Sequence, residues 1–265
     1  MAKGRKGIFS RLIEGPERSE DYARKTLPTN RWSLGFDLFR TNIGKIIKIN
    51  FLMLLFIVPI FVVLYFRSAL ISGQALSAPF AQNIGIGYPA YPFISGLAEN
   101  IQLNTDIVTF IAIFIVAFIA SIGISGGFYV MRNLVWTEGV FVASDFWVGV
   151  KKNYKTVLVS TLAYVLILTI TFLSIDFVNV QIAYNPSTKV FFTISNVVSY
   201  VFIAFFTAVY LFCLTLGVTY ELKFTKLLRN AFIFTIGLLP LNVFFIALSV
   251  SILLLLLFEI TSIFF

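Results

Sequence analysis

The segment Ile107–Met131 carries no charged side chain and is bounded by Asp106 and Arg132. About 20 mostly apolar residues let one helix cross the hydrocarbon core of a bilayer, so this run alone removes the chain from the class of soluble domains. Four further stretches behave alike. Ile49–Phe66 lies between Lys48 and Arg67, and Val157–Ile175 is closed by Asp176. Val190–Tyr220 is uncharged throughout, and Asn230–Phe258 is uncharged but interrupted by Pro240. Proline starts or kinks a helix, so the fifth span is expected to begin near Pro240, with Ala231–Leu239 partly in the interface. Two short spans joined by a re-entrant turn are the alternative.

The pattern predicts an all-α integral membrane protein: a bundle of about five transmembrane helices with amphipathic interfacial helices on the cytoplasmic side. The spans fall near residues 49–66, 107–131, 157–175, 194–218 and 240–260. Residues 1–33 form a cytoplasmic N-terminal arm, 34–265 the transmembrane domain, and 68–105 an extracytoplasmic loop. Composition agrees. Of 265 residues, 59% are hydrophobic and 12% charged, and mean hydropathy is +0.94, where a soluble domain has about a quarter of its residues charged. Eleven basic residues precede the first apolar run, so it reads as a retained anchor rather than a cleaved signal.

Basic residues set the orientation. Of the twenty Lys and Arg, eighteen lie in the N-terminal segment and the two connections Arg132–Thr156 and Glu221–Asn230; only Arg67 and Lys189 lie on the other side. The N-terminus is therefore expected in the cytoplasm and the C-terminus outside. The net charge of +8 becomes a topology signal, and nucleic acid is not expected as a partner, because Glu14, Glu17, Glu20, Asp21 and Asp37 dilute the basic arm.

Three segments that precede the odd-numbered spans are amphipathic. They place Phe36, Phe39, Ile43, Ile46 and Ile47, then Val142, Phe146, Trp147, Val150 and Tyr154, then Phe224, Leu227, Leu228, Ala231 and Phe232 at helical spacing, with cations between. Each is expected to lie flat at the inner leaflet, with lysines snorkelling to anionic headgroups. The segments serve either as a collar that orients the bundle or as a docking surface for a partner. The candidate docking residues are Arg132, Asp145, Phe146, Trp147, Lys151, Lys152 and Asn153.

Catalysis is not expected. The chain has no histidine and one cysteine, Cys213, which excludes imidazole triads, His-ligated metals and thiolate clusters within it. No Walker A pattern occurs. Ser125 beside Gly126-Gly127 has no base to activate it. Asp106, Asp176, Glu221 and Glu259 fall at span ends rather than inside, which argues against a proton relay. No cofactor or metal is expected. Ser121/Ser125 and Gly123/Gly127 are small-xxx-small pairs that let another helix approach closely, either one of this chain's own or a partner's. In the outer loop, Tyr88, Tyr91, Asn100 and Gln102 offer the rings and amides of a sugar or subunit contact, or an interfacial belt.

The run Met131-Arg132-Asn133-Leu134-Val135, through Glu138 and Phe141 to Ser144-Asp145-Phe146-Trp147 and Lys151-Lys152-Asn153-Tyr154-Lys155, resembles the signature loop of the YesL-like membrane proteins. This bacterial family is of unknown function. Gly123–Phe128 sits where that family has a small-residue turn, here without its proline, and Asn50-Phe51-Leu52 through Val58-Pro59-Ile60 resembles its first span. The likeness covers spans one to three, and spans four and five in order and hydropathy only. Residues 1–33 and the loop 68–105 look like additions. The resemblance implies a bacterial cell membrane and an association with ABC importers for oligosaccharides. The expected function is thus a non-catalytic accessory subunit of such an importer, in contact with its permeases; a solute-binding protein is a further candidate partner. The alternative is an autonomous transporter or ABC permease subunit for a neutral solute. The Glu221–Pro240 segment has Leu222-Lys223 where a permease coupling loop has its Ala-Ala pair, and Leu227 where it has its glycine.

Overall fold

The structure is a computed structural model, and it describes residues 31–82, 95–136 and 139–255. Every regular element among the described residues is helical. In chain order these are α1 (Arg31–Gln82), α2 (Leu97–Val135), α3 (Val142–Tyr184), a 3₁₀ turn (Pro186–Thr188), α4 (Lys189–Thr219), α5 (Phe224–Gly237) and α6 (Leu239–Leu255). Helices α1 to α4 are each long and apolar enough to cross a membrane, and α5 with α6 form a fifth, broken candidate, bent by 84°. The protein is a multi-pass α-helical membrane protein.

The chain divides into two units, Met1–Gly44 and Lys45–Phe265. Of the first unit, residues 31–44 are described. Phe36 and Phe39 are exposed there. Asn42 leaves helical geometry (φ −114°, ψ 15°), and its Nδ2 donates to Leu38 O at 3.2 Å.

In the second unit the helices outrun the apolar stretches. Helices α2 and α3 contain 39 and 43 residues, about 58 and 65 Å at 1.5 Å per residue, against a hydrocarbon core of about 30 Å. Residues 68–82 and 97–105, expected in the outer loop, are helical. The second amphipathic segment is the beginning of α3 and runs unbroken into the span; no proline interrupts it. The first belongs to α1 and is kinked within it, where Asn42 leaves helical geometry. The second is not a separate surface helix. The third, α5, is followed by a break, and Pro240 sits in the first turn of α6, where its missing N–H has no partner to lose. Asn242 Nδ2 holds the bend by donating to Thr235 O at 3.0 Å.

Small residues bring the helices together. Gly123, Gly126 and Gly127 are buried on α2. A Cβ at Gly123 would fall 2.8 Å from Phe56 Cβ, and one at Gly126 would fall 2.6 Å from the Phe146 ring. A Cβ at Gly127 would collide with Met53. The α2 notch thus receives the chain's own α1. Ser121 and Ser125 are fully buried and return their hydroxyl protons to Ala117 O and Ile122 O. Three apolar clusters lie toward the end of the bundle that carries Arg132 and Lys152. They are Ile49/Val130/Leu134/Phe146, Tyr129/Val157/Leu214/Val218 and Val209/Cys213/Leu227/Ala231.

The opposite end is tied by polar groups instead. Ser95 Oγ donates to Ala183 O, and Asn100 Nδ2 donates to Tyr184 Oη at 2.8 Å. Asn196 Nδ2 reaches Asn179 Oδ1 at 2.8 Å. Gly96 starts α2 with φ +79°, and the Tyr184 ring packs so closely that a Cβ there would sit 2.7 Å from it. Only glycine meets both demands without strain.

Candidate functional site

Between the apolar clusters at one end and the polar ties at the other, the helices line a half-open cavity of about 560 Å³. Its walls come from α1 (Ile60, Leu64), α2 (Ile113, Ala117, Ala120, Ile124) and α3 (Val165, Leu168, Phe172). The gap follows from how α1 is held. It is pressed into the glycine notch near Met53 and Phe56, and it is caught again at Arg67. Between these points small α2 side chains, Ala117 and Ala120, face it without filling the space.

The second clasp is an ion pair. Arg67 Nε donates to Asp106 Oδ1, and Nη2 donates to Asp106 Oδ2 at 2.7 Å. This is the bidentate geometry that suits a guanidinium to a carboxylate. Asp106 is 4% exposed and stands in the third turn of α2, not at its end. Asp176, also 4% exposed, accepts from Gln102 Nε2 at 2.9 Å. Gln102 is one turn before Asp106 on α2, so both carboxylates lie beside one guanidinium, and the charges interact. Asp176 Oδ2 has no hydrogen-bond donor among the described residues. Its neighbour Asp106 is a carboxylate that, when ionised, has nothing to donate. The expectation that Asp106 and Asp176 merely flank their spans is therefore corrected: they form a buried charged cluster that links α1, α2 and α3.

The cavity's other polar groups are satisfied. Thr161 gives its proton to Val157 O at 2.8 Å, so the Tyr210 hydroxyl must be the donor in their 2.9 Å contact. By the same reasoning Tyr164 donates to Thr207, whose proton goes to Ile203 O. The two tyrosine rings stack at 4.3 Å. With donors spent internally, the wall offers a guest chiefly apolar surface.

A second cleft, of about 550 Å³, opens at the Arg132 end, between α2, α3 and the α4–α5 connection. Arg132, Lys152 and Lys223 line it with Tyr129, Asn153, Tyr220 and Glu221. The Arg132 guanidinium stacks over Tyr129 (4.8 Å) and Trp136 (4.9 Å), and Lys152 Nζ lies 5.6 Å from the same Tyr129 ring. Arg132 also donates to Asn133 Oδ1 at 3.1 Å.

The docking residues expected from sequence separate in space. Arg132, Lys152 and Asn153 line the cleft. Asp145 Oδ2 accepts the Phe141 N–H at 2.8 Å and steadies the start of α3. Lys151 is exposed. Trp147 is 54% exposed, whereas Phe146 is 1% exposed and stacks on Phe56 at 5.9 Å. Phe146 is thus a core residue, not an anchor for a partner. Its burial against Gly126 left no trace in a one-helix pattern. Of the sugar-contact candidates, Tyr88 and Tyr91 lie outside the described residues. Asn100 and Gln102 are helical, and their amide N–H groups serve Gly96 O, Tyr184 and Asp176. They hold α2 to α3 rather than face a loop. Sequence reasoning missed the cavity and the Arg67 cluster; the lone arginine ending the first span was the available signal. A scan of protein-family models, a search of curated proteins and a search of solved structures each return no match.

Proposed function

We propose that this chain is a non-catalytic accessory subunit of a membrane transport assembly in a bacterial cell membrane. Its N-terminus is cytoplasmic and its C-terminus extracytoplasmic. The observation that carries the reading is the exposure of three large aromatics in the stretch that joins α2 to α3, at the Arg132 end. Trp136, Phe141 and Trp147 are 53%, 80% and 54% exposed there, beside the cationic Lys151. Large aromatics beside charge, fixed on rigid helix ends, are the anchors protein interfaces favour. The sequence likeness quoted above points to a carbohydrate ABC importer as the assembly, with permease, ATPase and solute-binding subunits as partners.

Purification of the tagged chain in mild detergent with protein identification by mass spectrometry tests this. Permease and ATPase subunits of one importer should co-purify in fixed ratio, and Phe141→Ser with Trp147→Ala should release them while leaving the chain in the membrane. Recovery of the chain alone, or release by neither change, overturns it. The second reading, an autonomous transporter for a neutral solute, draws on the 560 Å³ cavity. It requires solute flux into liposomes that contain only this chain.

A further inference from the structure

We propose that the 560 Å³ cavity binds a lipophilic organic cation, of the quaternary or charge-delocalised kind, at its Arg67–Asp106 end. Arg67 and Asp106 both line the cavity, and they neutralise each other through the bidentate pair. Asp176 is then one carboxylate in excess. The charged groups that act on it are Asp106 and Arg67, and Arg67 is already engaged with Asp106. Asp176 Oδ1 is held by the neutral amide of Gln102, and Oδ2 has no donor among the described residues, although the residue is 4% exposed. A buried carboxylate left in this way is costly unless a positive charge comes to it. Asp176 adjoins the cavity wall through Asp106, so a cation in the cavity is drawn to this end and an anion is repelled.

The rest of the wall narrows the chemistry. Phe110 is one turn beyond Asp106 on α2, and Phe172 is one turn before Asp176 on α3, so each shares a helix face with its carboxylate. Their rings stack at 5.8 Å and both line the cavity, as do Tyr164 and Tyr210, whose rings stack at 4.3 Å. Aromatic faces attract a cation, most strongly a desolvated one. The tyrosine hydroxyls are engaged by Thr207 and Thr161, and aliphatic side chains complete the wall. A primary ammonium would bring three N–H donors to a wall with few free acceptors. A quaternary or delocalised cation brings none, and its apolar bulk matches the aliphatic and aromatic surface. A bare metal ion is a poorer match: among the described residues no group of three or more acidic, histidine or cysteine side chains could hold one. The positive charge sets this guest apart from the neutral solute of the transporter reading above. Its binding requires neither importer subunits nor flux.

The test is equilibrium dialysis of radiolabelled tetraphenylphosphonium against the full chain in neutral detergent, with detergent alone subtracted. Binding should saturate at one probe per chain. Radiolabelled tetraphenylborate, similar in size and shape but negative, should show no saturable binding when dialysed separately. Neutral triphenylphosphine oxide should displace the cation about tenfold less well than unlabelled tetraphenylphosphonium does. Asp176→Asn removes the excess charge at constant volume and should weaken binding about tenfold or more, with no fall in the unfolding midpoint. Glu221→Gln makes the same change of charge at an exposed position at the opposite end of the bundle and should leave binding intact. Ile113→Phe, which narrows the cavity, should weaken it. Saturable binding of tetraphenylborate, or equal displacement by the phosphine oxide, overturns the cationic guest. Binding unchanged by Asp176→Asn overturns the carboxylate as its partner. Full binding by the Ile113→Phe chain overturns the cavity as the site, and absence of saturable binding overturns the proposal outright.

Discussion

Arg67 and Phe146 show how much a single side chain carries in this bundle. Arg67 is the cation beside two buried carboxylates, Asp106 and Asp176. Removing one partner of a buried pair costs about 3–5 kcal/mol, because the other is left uncompensated. Arg67→Gln should therefore lower the midpoint of thermal unfolding sharply, read by thiol labelling of the single, buried Cys213. Asp176→Asn should be neutral or stabilising, since it relieves like-charge contact and supplies a donor. A midpoint unmoved by Arg67→Gln would remove the clasp from the account. Phe146 and Trp147 are neighbours in sequence with opposite fates. Phe146→Ala opens a core void and should cost about 3–5 kcal/mol, the range for large aromatic truncation. Trp147→Ala, at a half-exposed position, should cost about 1 kcal/mol or less. Comparable losses for the two would mean that the Trp147 surface is packed in solution. Sequence could not separate this pair: both fall on the apolar side of one amphipathic pattern, and burial was decided by which of them met Gly126 and Phe56.

At the level of elements, glycine positions decide where helices meet and where they turn. Gly96 joins α2 to the end of α3 through its positive φ and the Tyr184 ring. Gly96→Ala adds a left-handed alanine, which costs about 1–2 kcal/mol, together with displacement of Tyr184. The expected result is a lower midpoint and weaker hydrogen-exchange protection in the first turns of α2; unchanged protection there would count against the joint. The amphipathic patterns were legible, but their outcome was not. The second became the first turns of a longer helix, because nothing in the residues that follow stops helix propagation, whereas the first is kinked at Asn42. The third, α5, stayed separate because the chain breaks just before Pro240. Hydropathy marked an apolar part of each long helix and gave no sign of its polar extensions, since helical backbone does not end where a membrane does.

For the whole molecule, the uneven distribution of cations gives a direct topology test. In a Cys213→Ser background, cysteines placed at Lys151 and Lys226 should react with an impermeant maleimide only after the cells are permeabilised. A cysteine at Lys189 should react on intact cells. The reverse pattern would invert the proposed orientation, and with it the leaflet that faces the basic cleft. The sequence by itself determined that the chain is an all-α membrane protein, roughly where its spans lie, and which connections are basic. These properties are sums over neighbouring residues, and solvation in a bilayer responds to such sums. Only the tertiary structure decided that Arg67, Asp106 and Asp176 form one cluster, that a 560 Å³ cavity lies between two clasps on α1, and that Arg132, Lys152 and Lys223 line one cleft. Each of these depends on which helices touch and in what register, a choice made by the fit of a few glycines and aromatic rings between segments far apart in the chain.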